Sequence, residues 1–284
     1  MLQKIISYAY LARLDKPIGW LLLLWPTLMA LWLASRGKPS VFLIALFSLG
    51  VIIMRSLGCI INDLADKKVD GLVPRTQNRP LVTQLVSVRE AIGLAVFLAL
   101  GALILVLQSN VLTFKLSFVA LGLASLYPFM KRVTFYPQVF LGAAFGFAVP
   151  MAYAAVSPAL ILSLSCWLLF LAILIWAIAY DTAYAMVDRE ADLKIGVKST
   201  AIRFGQWDKF FIGMAHLSVI GLLGLIGYLN GLKPLFYVSL VICLGLAIYQ
   251  QYLLKDREPK ACFQAFLNNH WFGLSFFLGT VLGY

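Results

Sequence analysis

Apolar residues run through this chain in long unbroken stretches, and polar residues gather in short clusters between them. Stretches such as "VFLIALFSLGVIIMRSLGCII" recur from end to end. Each is close to the about 20 residues a helix needs to cross the hydrocarbon of a bilayer. None shows the period-two alternation of a barrel strand. The pattern predicts nine helical spans, at 17–34, 41–62, 89–107, 111–130, 137–156, 159–184, 209–228, 233–254 and 264–283. The expected fold class is all-α: a polytopic membrane helical bundle forming one domain over residues 1–284. Pro26 and Pro150 are expected to kink their spans, and Gly142 with Gly146 to mark a close helix contact.

Composition agrees. Hydrophobic residues make up 62% of the 284, and charged residues 12%, about half the share usual in soluble domains. The opening "MLQKIISYAYLARLDKPIG" scatters charge ahead of the first apolar run, unlike a cleavable signal. Cys59, Cys166, Cys243 and Cys262 are too dispersed to suggest a metal site.

Charge sets the expected orientation. Of the 23 basic residues only Arg36, Lys38, Lys115 and Lys233 fall in or beside loops on one side. The others lie on the side that the positive-inside rule makes cytoplasmic, so the N-terminus is expected inside and the C-terminus outside, in a bacterial inner membrane. The net charge of +11 is explained by this bias and by anionic lipid, without nucleic acid.

All twelve acidic residues share the basic side, and seven form two groups: Asp63, Asp66 and Asp70, then Asp181, Asp188, Glu190 and Asp192. If the second span stays helical beyond Asn62, then Asn62, Asp66 and Asp70 form one ridge with Asp63 at its flank. Asp188 and Asp192 are again four apart, and Asp181 falls two turns before Asp188 on the same side. Each group ends the second span of a half and is followed by basic residues: Arg75 and Arg79, or Lys194, Lys198 and Arg203. This suggests two four-helix repeats plus one added helix.

Carboxylate ridges of this kind suit a hard divalent cation such as Mg²⁺, which takes one or two carboxylates and completes its shell with water and phosphate. Neighbouring Arg and Lys residues suit the remaining phosphate oxygens. With apolar spans at hand, the implied ligand is a diphosphate with a lipid tail. The bland alternative is that each acid is a solvated loop residue, the usual fate of any single Asp. The repetition of the ridge weighs against it.

The motifs resemble a known family. "NDLADKKVDGLVPRTQNRPL" is similar to the NDxxDxxxD signature of the UbiA-type intramembrane aromatic prenyltransferases, "DREAD" at 188–192 to their second DxxxD, and "YPFMK" at 127–131 to their YxxxK element. "RLDKPIGWLLLLWPTLMALWLA" and "GVKSTAIRFG" resemble the 4-hydroxybenzoate polyprenyltransferase branch. The resemblance implies a bundle of nine spans around a central cavity open to lipid. It implies Mg²⁺-dependent transfer of a polyprenyl group from polyprenyl diphosphate to C3 of 4-hydroxybenzoate, in ubiquinone synthesis.

Carried over by position, Asn62, Asp66, Asp70, Asp188 and Asp192 are the implied metal residues, with Asp63 either a ligand or an orienting group. Tyr127 and Lys131 match YxxxK, and Lys67, Arg75, Lys194 and Lys198 are further candidates for the diphosphate. Arg132 is a candidate for the diphosphate or the benzoate carboxylate; Arg55 either anchors that carboxylate or pairs with an aspartate, and Arg13 either reaches the carboxylate or has a plain interfacial role. Asp181 either orients the phenol, takes a proton, or is a buried acid bonded to Tyr180, Tyr184 or water. His216 and His270 are assigned nothing. The loops at 63–87 and 189–207 are expected to cap the site against water. Rival readings are another branch of the family, a cation transporter, which would want acids near the midplane, and a lipid-binding scaffold.

Overall fold

The computed structural model describes residues 2–72 and 75–284, so positions 73 and 74 of the expected 63–87 cap lie outside the described residues. Among the described residues every regular element is helical. The chain runs α1 (Leu2–Leu11), α2 (Ile18–Ala34), α3 (Val41–Asp70), α4 (Val88–Val106), α5 (Val111–Val133), α6 (Pro137–Gly146), α7 (Ala148–Val156), α8 (Leu164–Val187), α9 (Arg189–Ile195), α10 (Thr200–Phe204), α11 (Asp208–Leu229), α12 (Pro234–Leu253) and α13 (Pro259–Gly283).

Among the described residues seven helical segments are long and apolar enough to cross a membrane: α3, α4, α5, α6 with α7, α8, α10 with α11, and α12. This is an integral membrane protein of the all-α class. The other two expected spans are helices of a different character. α2 is apolar but has only 17 residues. α13 has 25 residues but carries Gln264, Asn268, Asn269 and His270. Its polar groups are used inside the bundle: Asn269 accepts from Trp176 Nε1 at 2.9 Å and donates to Gln250 Oε1 at 3.0 Å.

The core explains the arrangement. Met29, Leu31, Trp176, Phe236, Phe272 and Phe276 are fully buried where α2, α8, α12 and α13 meet. On α4 and α5 the large residues face outward, Phe97, Ile104 and Phe118 among them, as surfaces bathed in lipid do. Ser87 caps α4 with a reciprocal Ser87–Glu90 box, and Glu90 also accepts from Lys4 and Tyr8, which ties α1 to α4.

Two breaks shape the interior. The fifth expected span is interrupted at Phe147, three residues before Pro150. Pro150 cannot donate to the carbonyl of Gly146 and its ring crowds that carbonyl, which ends α6 there. α8, the sixth expected span, stops at Asp188, whose φ of −103° and ψ of 6° leave the helical region, and α9 starts anew.

Candidate active site

α3 stays helical through Asp70, so Asn62, Asp66 and Asp70 do share a face. Lys131 Nζ, from the end of α5, stands 3.4 Å from both Asn62 Oδ1 and Asp66 Oδ2. Beside it Arg132 donates to the carbonyl of Ala65 at 2.8 Å and lies 3.7 Å from Asp66. Asp70 pairs with Arg79 at 2.5 Å.

The second group is not one continuous ridge. Asp181 is on α8, Asp188 is the joint, and Asp192 is on α9. The break does not scatter them, because Asp66, Asp70, Asp181, Asp188 and Asp192 all line one pocket of about 110 Å³ with Tyr127, Lys131, Arg132 and Lys198. Arg75 joins the two acidic groups: it follows the first in sequence yet grips Asp188 of the second, with Nε at 2.8 Å and Nη2 at 2.5 Å from Oδ2. Its guanidinium lies 4.8 Å from the centre of the Tyr184 ring.

Electrostatics separate the carboxylates. Burial pushes the Asp192 carboxyl up to about 6, with the charge of Asp188 adding to the effect. Its side chain has no hydrogen-bond or ion-pair partner among the described residues. Burial also raises Asp70, against the opposing pull of Arg79. A pocket holding such carboxylates has use for a cation.

Several candidates sit elsewhere. Asp63 is 2% exposed and does not line the pocket; Arg13 at 2.8 Å and Arg79 at 3.0 Å hold it. Lys67 and Lys194 are exposed and away from the pocket lining. Lys198 lines the pocket while its Nζ donates to the Val133 carbonyl at 3.2 Å. Arg55 lies apart, on α3. Its Nη1 approaches Cys59 Sγ at 2.8 Å, while its Nε is buried without a partner among the described residues, as is the hydroxyl of Tyr180. Gly19 makes room for it: a Cβ there would stand 2.8 Å from Arg55 Nε.

Gln138 was invisible in the sequence. It is buried, takes the backbone N–H of Thr200 at 3.1 Å and lines the same pocket as Asp181. Thr200 in turn meets Thr182 of α8 at 2.7 Å. "GVKST" thus anchors the floor of the pocket, a role that only the tertiary contact reveals.

The donor set fits Mg²⁺. It consists of oxygen ligands only, and no three acidic, His or Cys side chains among the described residues converge on one point. That spacing suits an ion held by one or two carboxylates and completed by substrate phosphate.

Known proteins agree with this architecture. The chain is 55% identical to 4-hydroxybenzoate octaprenyltransferase of Escherichia fergusonii over 281 residues, 99% of this chain and 96% of that one. It is 54% identical to the protein of the same name from Salmonella paratyphi C, with the same coverage. Among solved structures it resembles a UbiA homolog from Aeropyrum pernix, with a TM-score of 0.80 at 25% identity, over 91% of this chain and 96% of that one. It shares its fold with a UbiA homolog from Archaeoglobus fulgidus bound to GPP and Mg²⁺, with a TM-score of 0.71 at 20% identity, over 98% and 100% of the two chains. The model of the UbiA prenyltransferase family matches residues 23–278, and the chain belongs to that family.

Proposed function

We propose that this protein is a 4-hydroxybenzoate polyprenyltransferase of ubiquinone biosynthesis. In this reading it moves a polyprenyl group, octaprenyl by its relatives' names, from its diphosphate to C3 of 4-hydroxybenzoate. The observation that carries it is the meeting of Asp66, Asp70, Asp188 and Asp192 with Lys131, Arg75 and Lys198 around one pocket. The bundle is then a single nine-span domain of two four-helix repeats plus one helix, its pocket opening from a central cavity on the cytoplasmic face.

Asn62, Asp66, Asp70, Asp188 and Asp192 would hold Mg²⁺, which supplies positive charge where the diphosphate leaves. Lys131, Arg75 and Lys198 bind the diphosphate oxygens, and the apolar walls exclude water from the allylic cation formed as the C–O bond breaks. The centre of the Tyr127 ring lies 5.4 Å from Lys131 Nζ. Its face is therefore offered to positive charge. The acceptor's carbon ortho to the phenol attacks the cation. Asp181, which lines the pocket with Gln138, orients the phenol or receives the ring proton.

For the benzoate carboxylate the reading selects Arg55. Arg13 is engaged by Asp63 and Arg132 by the Ala65 carbonyl, whereas Arg55 Nε and the Tyr180 hydroxyl are both buried and have no partner among the described residues. Asp63 acts as an orienting group instead of a metal ligand.

Incubating purified protein with Mg²⁺, mixed prenyl diphosphates and several aromatic acceptors, then weighing the products, tests the function. Prenylated 4-hydroxybenzoate is expected, and a product on a different acceptor alone would overturn the assignment. Asp66→Asn and Asp188→Asn should each lose more than about 100-fold in turnover while keeping their fold in membranes. Wild-type rates in both would overturn the site.

A further inference from the structure

Asp208 lies outside the pocket and carries none of the resemblance, yet it is 0% exposed. It opens α11, where Arg189, Arg257 and the backbone N–H of Lys209 all donate to its carboxylate, Arg257 through Nε at 3.0 Å and Nη2 at 2.9 Å. Burying a carboxylate is costly unless charge and hydrogen bonds surround it. Here both conditions are met.

What Asp208 holds matters more than how it is held. Arg189 is the first residue of α9, directly after Asp188 and three before Asp192. α9 has seven residues and fully buries none of them, Asp192 being only half-buried. So short a helix is not stable by itself. Gly196, with φ of +73°, ends it. Two side-chain ties meet its start: Arg75 on Asp188 at the joint, and the Arg189–Asp208 pair on the first residue of α9.

We propose that Asp208 is a positioning residue for the second acidic group: through Arg189 it fixes the joint between α8 and α9 and so the directions of Asp188 and Asp192. The first group has a counterpart of the same make-up. Asp63 is buried, Arg79 ties it to Asp70 in the pocket, and Arg13 completes the pair of arginines. Arg13 and Arg257 both take the left-handed backbone, with φ of 55° and 56°. Residues other than glycine rarely adopt it. Each also stands shortly before a proline that opens a helix, Pro17 or Pro259. A fold-holding ion pair with no bearing on the site would have no reason to recur beside both acidic groups.

The inference rests on the reading of the pocket as a metal-diphosphate site, and its test keeps the two apart. The full chain in lipid nanodiscs is titrated with Mn²⁺ in the presence of inorganic diphosphate, read by electron paramagnetic resonance, alongside hydrogen exchange of residues 189–197. Arg189→Gln leaves Asp208 neutralised by Arg257, so the fold survives. Removing a cation beside two carboxylates would by charge alone tighten Mn²⁺. The positioning role instead makes Mn²⁺ bind about tenfold more weakly, the usual cost of losing an outer support, with faster exchange across 189–195. Arg189→Lys should recover most of both. Wild-type or tighter Mn²⁺ binding in Arg189→Gln, or unchanged exchange, overturns the proposal. If Asp188→Asn also binds Mn²⁺ like wild type, the metal reading of the pocket falls with it.

Discussion

Arg55 is the guanidinium proposed above for the acceptor's carboxylate. A charge-assisted bond to a carboxylate contributes about 1.5–3 kcal/mol, so Arg55→Ala should raise KM for 4-hydroxybenzoate at least about tenfold. KM for the prenyl diphosphate should stay within about twofold. Arg55→Lys should recover little, because an ammonium cannot reproduce a planar fork. Steady-state kinetics with each substrate varied in turn decides it, and parallel rises in both constants would count against the assignment. At this scale the sequence is informative wherever a residue's partner is its own neighbour along a helix. Four-residue spacing is enough to put Asn62, Asp66 and Asp70 on one face. Long-range pairing is not legible. Nothing local says that Arg75 reaches across to Asp188, that Asp63 is gripped by Arg13 from 50 residues away, or that Gln138 takes the backbone N–H of Thr200.

Helix boundaries are legible where a breaker sits in the chain and obscure where tertiary contact makes the break. Pro150 announces the end of α6, whereas the stop at Asp188 has neither Gly nor Pro beside it and coincides with the Arg75 and Arg189 ties. Close approach of helices gives a second prediction. A Cβ on Gly142 would sit 2.7 Å from the Leu174 carbonyl oxygen and 3.3 Å from Ala177 Cβ, so α6 and α8 meet backbone to backbone there. Overpacking of this kind costs about 1–3 kcal/mol. Gly142→Ala should therefore lower the unfolding temperature in detergent. Gly122→Ala, with nothing within 4 Å, should leave it unchanged or raise it. Equal unfolding temperatures for the two variants would mean that the GxxxG contact carries no packing role.

For the molecule as a whole, the number of crossings depends on α2 and α13, the two helices that hydropathy and length leave in doubt. The 17 residues of α2 give a rod of about 26 Å, just short of the hydrocarbon thickness. Contacts at its two ends argue that it crosses all the same. Arg13, four residues before Pro17, pairs with Asp63 at the pocket end of α3. At the other end Gly37, left-handed with φ of +83°, packs on Tyr284, whose hydroxyl donates to the Leu33 carbonyl at 3.4 Å. Lys233, at the start of the crossing helix α12, donates through its backbone to Gly283 at 2.8 Å and through Nζ to Tyr284 at 2.7 Å. The end of α2, the start of α12 and the end of α13 therefore share one face of the bundle, and Asp63 and Asp188 lie toward the other. With basic residues concentrated on the acidic face, that face is expected to be cytoplasmic. All four native cysteines are buried, which makes single introduced thiols readable. In intact cells a membrane-impermeant maleimide should label Lys38→Cys, Gln108→Cys and Leu162→Cys, and should reach Arg89→Cys, Glu190→Cys and Lys255→Cys only after the membrane is opened. Protection of Lys38→Cys alone would mean that α2 turns back without crossing, and reversal of all six would invert the protein in its membrane.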